Sequence, residues 1–548
     1  MKDLLQTEFA AITDLIRLHA VEAPARPALM PAPVQSQGEG QRVMTYGALD
    51  ALMDRVACAL QRDGLKPGDA IAICANMSVE YAAVFLGALR AGVVVAPLAP
   101  GSTPDSLVRM IADADARLVF TDAASATLVA PNLPTAPATL TTPATVPRIA
   151  LDDSAAATAL SAWLAVPGQR PAAVAVQPQW PFNIIYSSGT TGEPKGIVQS
   201  HGMRWSHVRR GSTYGYGPDT VTLLSTPLYS NTTLVVFFPT LAFGGMVLLM
   251  PKFDAAGYLK LAQTQRATHT MLVPVQYQRL MARPDFDAHD LSSFKVKFST
   301  SAPFTATVKA DVLKRWPGAL VEFYGMTEGG GSCILEAHLH PTKLHTVGRP
   351  GEGHDIRLID DNGQEVAAGE PGEVVGHSPG MMLGYHRQPE KTREAEWFDA
   401  TGKRFIRTGD IGRFDAEGFL TLFDRKKDMV ISGGFNVYPS DLEAVLREHP
   451  AVLEAAVVGV PSEQWGETPV AFAVLRAGQA AGVEELLLWV NQRVGKTQRV
   501  TALRILDELP RSAIGKVLKR ELRDLYPSPS NPALTRPAQT NPLTTLPA

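Results

Sequence analysis

The chain has 548 residues, room for three or four structural units at roughly 150 residues each. Hydrophobic residues make up 45% of it, which excludes a wholly disordered chain. Its 51 basic and 54 acidic residues leave a net charge of −3, so no global basic excess argues for nucleic-acid binding.

The first residues carry Lys2, Asp3, Glu8 and Asp14, which break the apolar stretch a signal peptide needs. Cys58, Cys74 and Cys333 form no C-x-x-C pair and cannot build a disulfide framework, so a reducing cytoplasm is expected. Ala82–Ala91 reads as a buried helix stopped by Gly92, followed by a buried strand over Val93–Pro97. A helix over Leu107–Ala114 leads to a strand over Arg117–Thr121. Residues 123–175 are rich in Ala, Pro and Thr and predict a loosely structured surface excursion. The apolar runs Val93–Leu98 and Val235–Phe238 suit core elements and fall far short of the ~20 residues that span a bilayer. Helix- and strand-like segments alternate again around 180–330, which is α/β patterning.

The charge run Asp424–Asp428 separates strand-like Phe419–Phe423 from Met429–Ile431. It reads as a solvated turn and marks a boundary. A smaller α+β unit follows. Ser440 and Glu443 read as a capping box, Ala455–Val460 and Val470–Leu475 as strands, and Glu484–Val494 as a helix. The expected division is 1–426, 427–526 and a tail, 527–548, whose prolines and near absence of charge predict disorder. The end, TTLPA, is not a peroxisomal S-K-L address.

The most chemically loaded segment runs Tyr186-Ser-Ser-Gly-Thr-Thr-Gly-Glu-Pro-Lys-Gly196. Gly189, Gly192 and Gly196 permit tight turns and close ligand approach. Ser187, Ser188, Thr190, Thr191 and Lys195 supply hydroxyls and a cation, the donors a polyphosphate needs. Lys195 is followed by Gly196 and the glycine spacing differs, so this is not a Walker A loop.

This segment resembles the signature of the adenylate-forming superfamily, which includes acyl-CoA synthetases, nonribosomal-peptide adenylation domains and firefly luciferase. The resemblance continues in order through Phe323-Tyr-Gly-Met-Thr-Glu328, Arg407-Thr-Gly-Asp410, Asp424–Glu443 with Ser432-Gly-Gly434, and Leu509-Pro-Arg-Ser-Ala-Ile-Gly-Lys516. It covers roughly residues 10–525 and implies a large N-terminal domain of layered α/β sheets with a smaller mobile α+β C-terminal domain. The implied reaction is ATP-dependent joining of a carboxylic acid to CoA through an acyl-adenylate, with release of pyrophosphate and AMP.

The resemblance assigns Ser187, Ser188, Gly189, Thr190, Thr191 and Lys195 to the ATP phosphates. It assigns Tyr324 and Gly325 to the adenine, Asp410 to the ribose, Arg425 to the nucleotide, Thr327 to the α-phosphate and Glu328 to Mg²⁺. Lys516 would bridge carboxylate and α-phosphate, a role that suits a point charge on a flexible stem. Lys427 matches a hinge, and Gly433, Gly434 and Trp465 match a tunnel for the CoA thiol. Tyr229, Asn231 and Ser301 stand at the acyl pocket. The chain departs from the family pattern at Asp424, where glycine is common, at Ser299–Pro303, where Gly-Gly-Ala-Pro is usual, and at Pro227–Asn231, where Pro-Leu-Phe-His is common.

The hydroxyls at these departures point to a short or medium aliphatic, hydroxylated or aryl acid rather than a very long chain. A monomer or homodimer without membrane or nucleic-acid contact is expected. Two rival readings stand beside the CoA ligase: a stand-alone enzyme that loads a carrier protein, and a non-catalytic nucleotide- or acyl-binding protein. Two other motifs are set aside. Gly376-His-Ser-Pro-Gly380 fits a nucleophile-elbow pattern, but Pro379 and Gly380 predict a turn. His338, His340 and His345 lack zinc spacing.

Overall fold

The structure, a computed structural model, describes residues 7–32, 43–129, 146–187, 194–425, 428–432, 435–462, 465–495, 498–512 and 515–526. The chain forms two compact units: Met1–Thr408 with Gly412–Thr421, and Gly409–Ile411 with Leu422–Ala548. The expected tail 527–548 lies outside the described residues.

Two large sheets organise the first unit. One has eight described strands, in the order Gly384–Tyr385, Lys195–Ser200, Pro181–Ser187, Val94–Leu98, Ala70–Cys74, Ala116–Thr121, Arg148–Ala150 and Thr158–Ala159. Its central strands Ala70–Cys74 and Val94–Leu98 are parallel and buried at every position, so they read as unbroken apolar runs rather than as alternation. The other sheet has nine, from Arg349–Pro350 through Ser332–Glu336, Ala319–Gly325, Val296–Ser299, His269–Leu272, Val221–Leu224, Met246–Leu249 and Pro27–Pro31 to Met44–Thr45.

Helices fill the space between the sheets. Ser78 caps the helix Val79–Arg90 by accepting from Tyr81 N at 3.0 Å, and all but Glu80 of that helix is buried. It crosses the helix Tyr46–Arg62 so closely that a Cβ on Gly87 would stand 2.5 Å from Val56 Cβ. Only glycine permits that approach. The apolar run Val235–Phe238 falls inside the helix Asn231–Ala242, where Phe237 and Phe238 are buried.

Part of the segment 123–175 is more ordered than its composition predicts. Ala123–Val129 is helical, and Arg148–Ala150 and Thr158–Ala159 extend the eight-stranded sheet. Trp163 is buried against Phe120 at 5.2 Å and donates to Asp63 at 2.7 Å. An Ala/Pro/Thr composition lacks the period that would announce edge strands, and Phe120 and Asp63 supply the fixation. Residues 130–145 lie outside the described residues.

The second unit is built on the hairpin Val452–Ser462 and Gly466–Leu475, with Val430–Ser432, Phe435–Val437 and Ala502–Ile505 completing the sheet. Helices Pro439–Arg447 and Val483–Asn491 pack on one face through Leu442, Leu446, Leu486 and Val490. Ser440, expected as the N-cap of a capping box, lies inside the helix. The helix starts two residues earlier, with Tyr438 as its N-cap and Pro439 at its first position. That position suits proline, whose missing N–H is unpaired there anyway. Glu443 instead accepts from Val457 N at 2.9 Å and pairs with Lys519 at 3.1 Å.

Candidate active site

The site begins at a hairpin mouth in the first unit. Strands Pro181–Ser187 and Lys195–Ser200 pair antiparallel, with Tyr186 opposite Gly196 and Ser187 opposite Lys195. Residues 188–193, between the two strands in the chain, lie outside the described residues, Ser188, Gly189, Thr190 and Thr191 among them. The pairing fixes the described residues on either side of that segment. The Tyr186 hydroxyl donates to Asp113 at 2.6 Å, and its ring lies against Gly196, where a Cβ would come within 3.0 Å of it.

Strand Gly384–Tyr385 adds to the outer edge of this hairpin, with Tyr385 opposite Ile197. Leu383 N donates to Val198 O at 2.9 Å and His386 N to Gly196 O at 2.7 Å. Met382 N donates to Glu328 O at 2.7 Å. The short segment 382–386 therefore binds the Lys195 strand and the Thr327–Glu328 turn at once. Its side chain at 385 does the same. The Tyr385 hydroxyl donates to Glu328 Oε1 at 2.9 Å, and Lys195 Nζ stands 5.2 Å from the ring centroid. Burial, with the Glu328 carboxylate adding to it, pushes the phenol above its ordinary pKa.

Tyr324 and Gly325 end the strand Ala319–Gly325 and pair with Cys333 and Ser332. Thr327 follows them, and its carbonyl accepts from Gln199 Nε2 at 2.7 Å. Behind it lies a buried polar network. Arg204, fully buried on the helix His201–Gly211, donates to Asn183 Oδ1 at 3.0 and 3.2 Å and to Asn231 Oδ1 at 2.8 Å. It also donates to Gln199 Oε1. Rings of Phe182 and Phe238 flank the guanidinium, each 5.7 Å away. Burial lowers its pKa to about 9. Asn231, expected in the acyl pocket, opens the helix Asn231–Ala242 and is held by this arginine.

Ser301 adopts a left-handed φ of +83°, and its hydroxyl meets Thr232 Oγ1 at 2.6 Å. A serine in this backbone region is strained, and the hydroxyl pair supplies compensation. Tyr229 is half-buried, and burial, with a smaller contribution from the Cys74 thiol, raises its pKa.

Gly329, Gly330 and Gly331 follow Glu328 and pack against Gly376–Gly380. A Cβ on Gly376 would stand 1.6 Å from Gly330 O. Ser378 Oγ donates to Gly329 O at 2.7 Å and accepts from Gly380 N at 3.1 Å. This serine ties a turn beside the Glu328 segment and does not present a nucleophile. Gly376→Ala should cost at least ~1–3 kcal/mol through overpacking. A urea midpoint equal to the parent's would disprove the contact. His338 lies near Leu320 O at 3.3 Å and His340 packs edge-on to Phe419. No group of three metal-ligating side chains occurs among the described residues.

In the second unit, Asp410 pairs with Arg425 Nε at 3.1 Å. Trp465 is 47% exposed. Lys516 is exposed in a loop tied by Ser512 N to Lys516 O at 2.8 Å and Lys516 N to Ser512 Oγ at 3.2 Å. Lys427, Gly433, Gly434 and the Ser187 side chain lie outside the described residues.

Sequence reasoning missed Tyr385, Gln199 and Arg204. For Tyr385 a local signal exists in Gly384-Tyr385 followed by Thr392, whose hydroxyl accepts from Tyr385 N at 2.9 Å. Arg204 had one too: an arginine between buried Met203 and Trp205 demands partners.

A family model described as AMP-binding enzyme matches residues 16–386, and one described as AMP-binding enzyme C-terminal domain matches residues 441–516. The chain is 32% identical to 4-coumarate–CoA ligase-like 9 of Oryza sativa subsp. japonica, over 89% of this chain and 88% of that protein. It is 31% identical to feruloyl-CoA synthase of an Amycolatopsis species, over 91% and 97%. The crystal structure of ATP-bound MatB from Rhodopseudomonas palustris superposes with a TM-score of 0.80 at 29% identity, covering 94% of this chain and 99% of that one.

Proposed function

The chain belongs to the AMP-binding enzyme family of adenylate-forming enzymes and is an AMP-forming acid–thiol ligase; from that premise we infer which of its residues perform each half-reaction. In the first, a carboxylate oxygen attacks the α-phosphorus of ATP, the bond to the β-phosphate oxygen breaks, and pyrophosphate leaves. In the second, the sulfur of CoA attacks the acyl carbon, the bond to AMP breaks, and the thiol proton passes to solvent.

The observation that carries the assignment is the gathering of Lys195, Tyr385, Glu328 and Thr327 at the hairpin mouth. The first half-reaction brings two anions together, so cations and oriented donors must stand where charge accumulates. Lys195, with Ser187, Ser188, Gly189, Thr190 and Thr191 shortly before it in the chain, binds the β- and γ-phosphates. Thr327 donates to the α-phosphate, Tyr324 and Gly325 cover the adenine, and Asp410 accepts the ribose hydroxyls, oriented by Arg425. Lys516 bridges the carboxylate and the α-phosphate.

Glu328 fits Mg²⁺. It is one hard oxygen donor without a cluster around it among the described residues, the pattern of a metal held mainly by phosphate and water. When bound, Mg²⁺ neutralises phosphate charge. For thiol entry we assign Gly433, Gly434 and Trp465, with Lys427 as the hinge. Tyr229, Asn231 and Ser301 with Thr232 border the acyl pocket. The hydroxyls of Tyr229, Ser301 and Thr232 and the amide of Asn231 support a short or medium aliphatic, hydroxylated or aryl acid, and relatives named for coumarate and ferulate support the aryl class. Among the described residues no helix is long and apolar enough to cross a membrane. We place the enzyme in the cytoplasm, a reading supported by three buried free thiols.

The direct test is CoA-dependent AMP release across a panel of acids, and no release with any of them would sink the reading. Glu328→Gln keeps the size but removes one charge. It should shift the Mg²⁺ requirement to higher concentration, about tenfold or more, with little change in melting temperature. Normal turnover at limiting Mg²⁺ would remove Glu328 from the metal site.

A further inference from the structure

We propose that Tyr385 is a positioning residue for adenylation: its hydroxyl orients Glu328 and its ring steadies Lys195, so that one side chain sets the spacing of the two charges that receive Mg²⁺-ATP. The proposal rests on the assignment of Lys195 and Glu328 to the nucleotide phosphates.

Three observations carry it. First, a single side chain touches both groups: the hydroxyl at 2.9 Å from Glu328 Oε1 and the ring face at 5.2 Å from Lys195 Nζ. A carboxylate free to rotate would swing toward the neighbouring ammonium, and such a pair would compete with phosphate for the cation. A hydrogen bond to one oxygen holds the carboxylate, and a ring face attracts an ammonium without neutralising it.

Second, the residue is itself fixed. Tyr385 N is bound to Thr392 Oγ1 at 2.9 Å, and that hydroxyl donates to Gln388 O at 3.0 Å. The strand Gly384–Tyr385 is paired with the Lys195 strand. Tyr385 is buried at 9% exposure, so its rotamer is confined by packing.

Third, the backbone on its N-terminal side makes the same link. Met382 N binds Glu328 O, and Leu383 N binds Val198 O on the Lys195 strand. Both the main chain and the side chain of 382–386 therefore join the same two segments, which lie far apart in sequence: Tyr385 and Glu328 are 57 positions apart. A tyrosine serving packing alone would not need its hydroxyl on the carboxylate.

The test is Tyr385→Phe, which keeps the ring and removes the hydroxyl. Calorimetric titration of the full-length protein with ATP, with and without Mg²⁺ and without any acid, should show about tenfold weaker binding in the presence of Mg²⁺, the scale of a hydrogen bond to a charged group. The difference should be small without Mg²⁺. In turnover, KM for ATP should rise while KM for the acid stays near the parent's. Tyr385→Leu, which also loses the ring, should weaken ATP further both with and without Mg²⁺. In a Glu328→Gln background, Tyr385→Phe should add little, because the two changes remove one interaction.

Parent-like ATP affinity in Tyr385→Phe overturns the proposal. So does a loss that is independent of Mg²⁺ and accompanied by a large drop in melting temperature, which would make the residue structural only. If Glu328→Gln and Lys195→Ala themselves leave ATP binding untouched, the assignment of those two residues fails. If they weaken it and Tyr385→Phe does not, only the present inference fails.

Discussion

Lys516→Ala should reduce acyl-adenylate formation by at least ~10³-fold while leaving thioester formation from supplied acyl-AMP near the parent rate. A preorganised charge at a developing oxyanion contributes on the order of 10²–10³ in rate, and here it also offsets repulsion between carboxylate and phosphate. The loop should keep its shape. Its ties run through backbone atoms of residue 516, through Gly515 N to Ser512 O at 2.8 Å, and through Arg511, which donates to Gly515 O at 2.6 Å and to Glu454 at 2.8 Å. Because the lysine side chain is exposed, stability should change by less than about 0.5 kcal/mol. Pyrophosphate exchange reads the first step, and a single turnover from chemically prepared acyl-AMP reads the second. Equal damage to both would remove the assigned role.

The largest stability effect should come from Lys309→Met. Lys309 and Glu322 form a buried ion pair between the helix Ala306–Arg315 and the strand Ala319–Gly325. Lys309 Nζ also donates to Leu344 O at 2.8 Å and Thr346 O at 3.1 Å. Removing the cation leaves a buried carboxylate and two carbonyls without it, a loss of about 3–5 kcal/mol. The same strand ends in Tyr324 and Gly325, so ATP binding should weaken with it.

The sign of the pH dependence follows from Glu322. Burial raises its folded pKa above the ordinary value of 4.5, although Lys309 opposes this. Without Lys309 the carboxylate is costly only when charged. The deficit should therefore be small below the unfolded pKa and grow as pH rises through the folded one. Denaturant midpoints at several pH values test this. The double variant Lys309→Met/Glu322→Leu should recover most of the loss, because an apolar pair of similar volume avoids the desolvation cost. A deficit that is constant with pH would show that Glu322 is not the group left unpaired.

The sequence by itself determined the chemistry and the order of the parts. A loop that binds phosphate must bring glycines, hydroxyls and a cation within a few positions, because one turn of backbone has to present them together. That requirement is local, so the phosphate-binding role we propose for Tyr186–Gly196 could be put forward without a fold. The strand Val94–Leu98 and most of the helix Val79–Arg90 were legible too, since burial on all sides writes itself as unbroken apolar runs. What only the tertiary structure decided is which side chains hold that chemistry in place. Tyr385 reaches Glu328 and Lys195 because its short strand adds to the edge of the hairpin that carries Lys195 and lies beside the Thr327–Glu328 turn. Arg204 joins Asn183, Gln199 and Asn231 because a helix turns back beneath them. Such contacts leave no period or spacing in the chain: a hydrogen bond between residues 27 or 57 positions apart depends on strand register and helix placement, which are set by the packing of the whole unit.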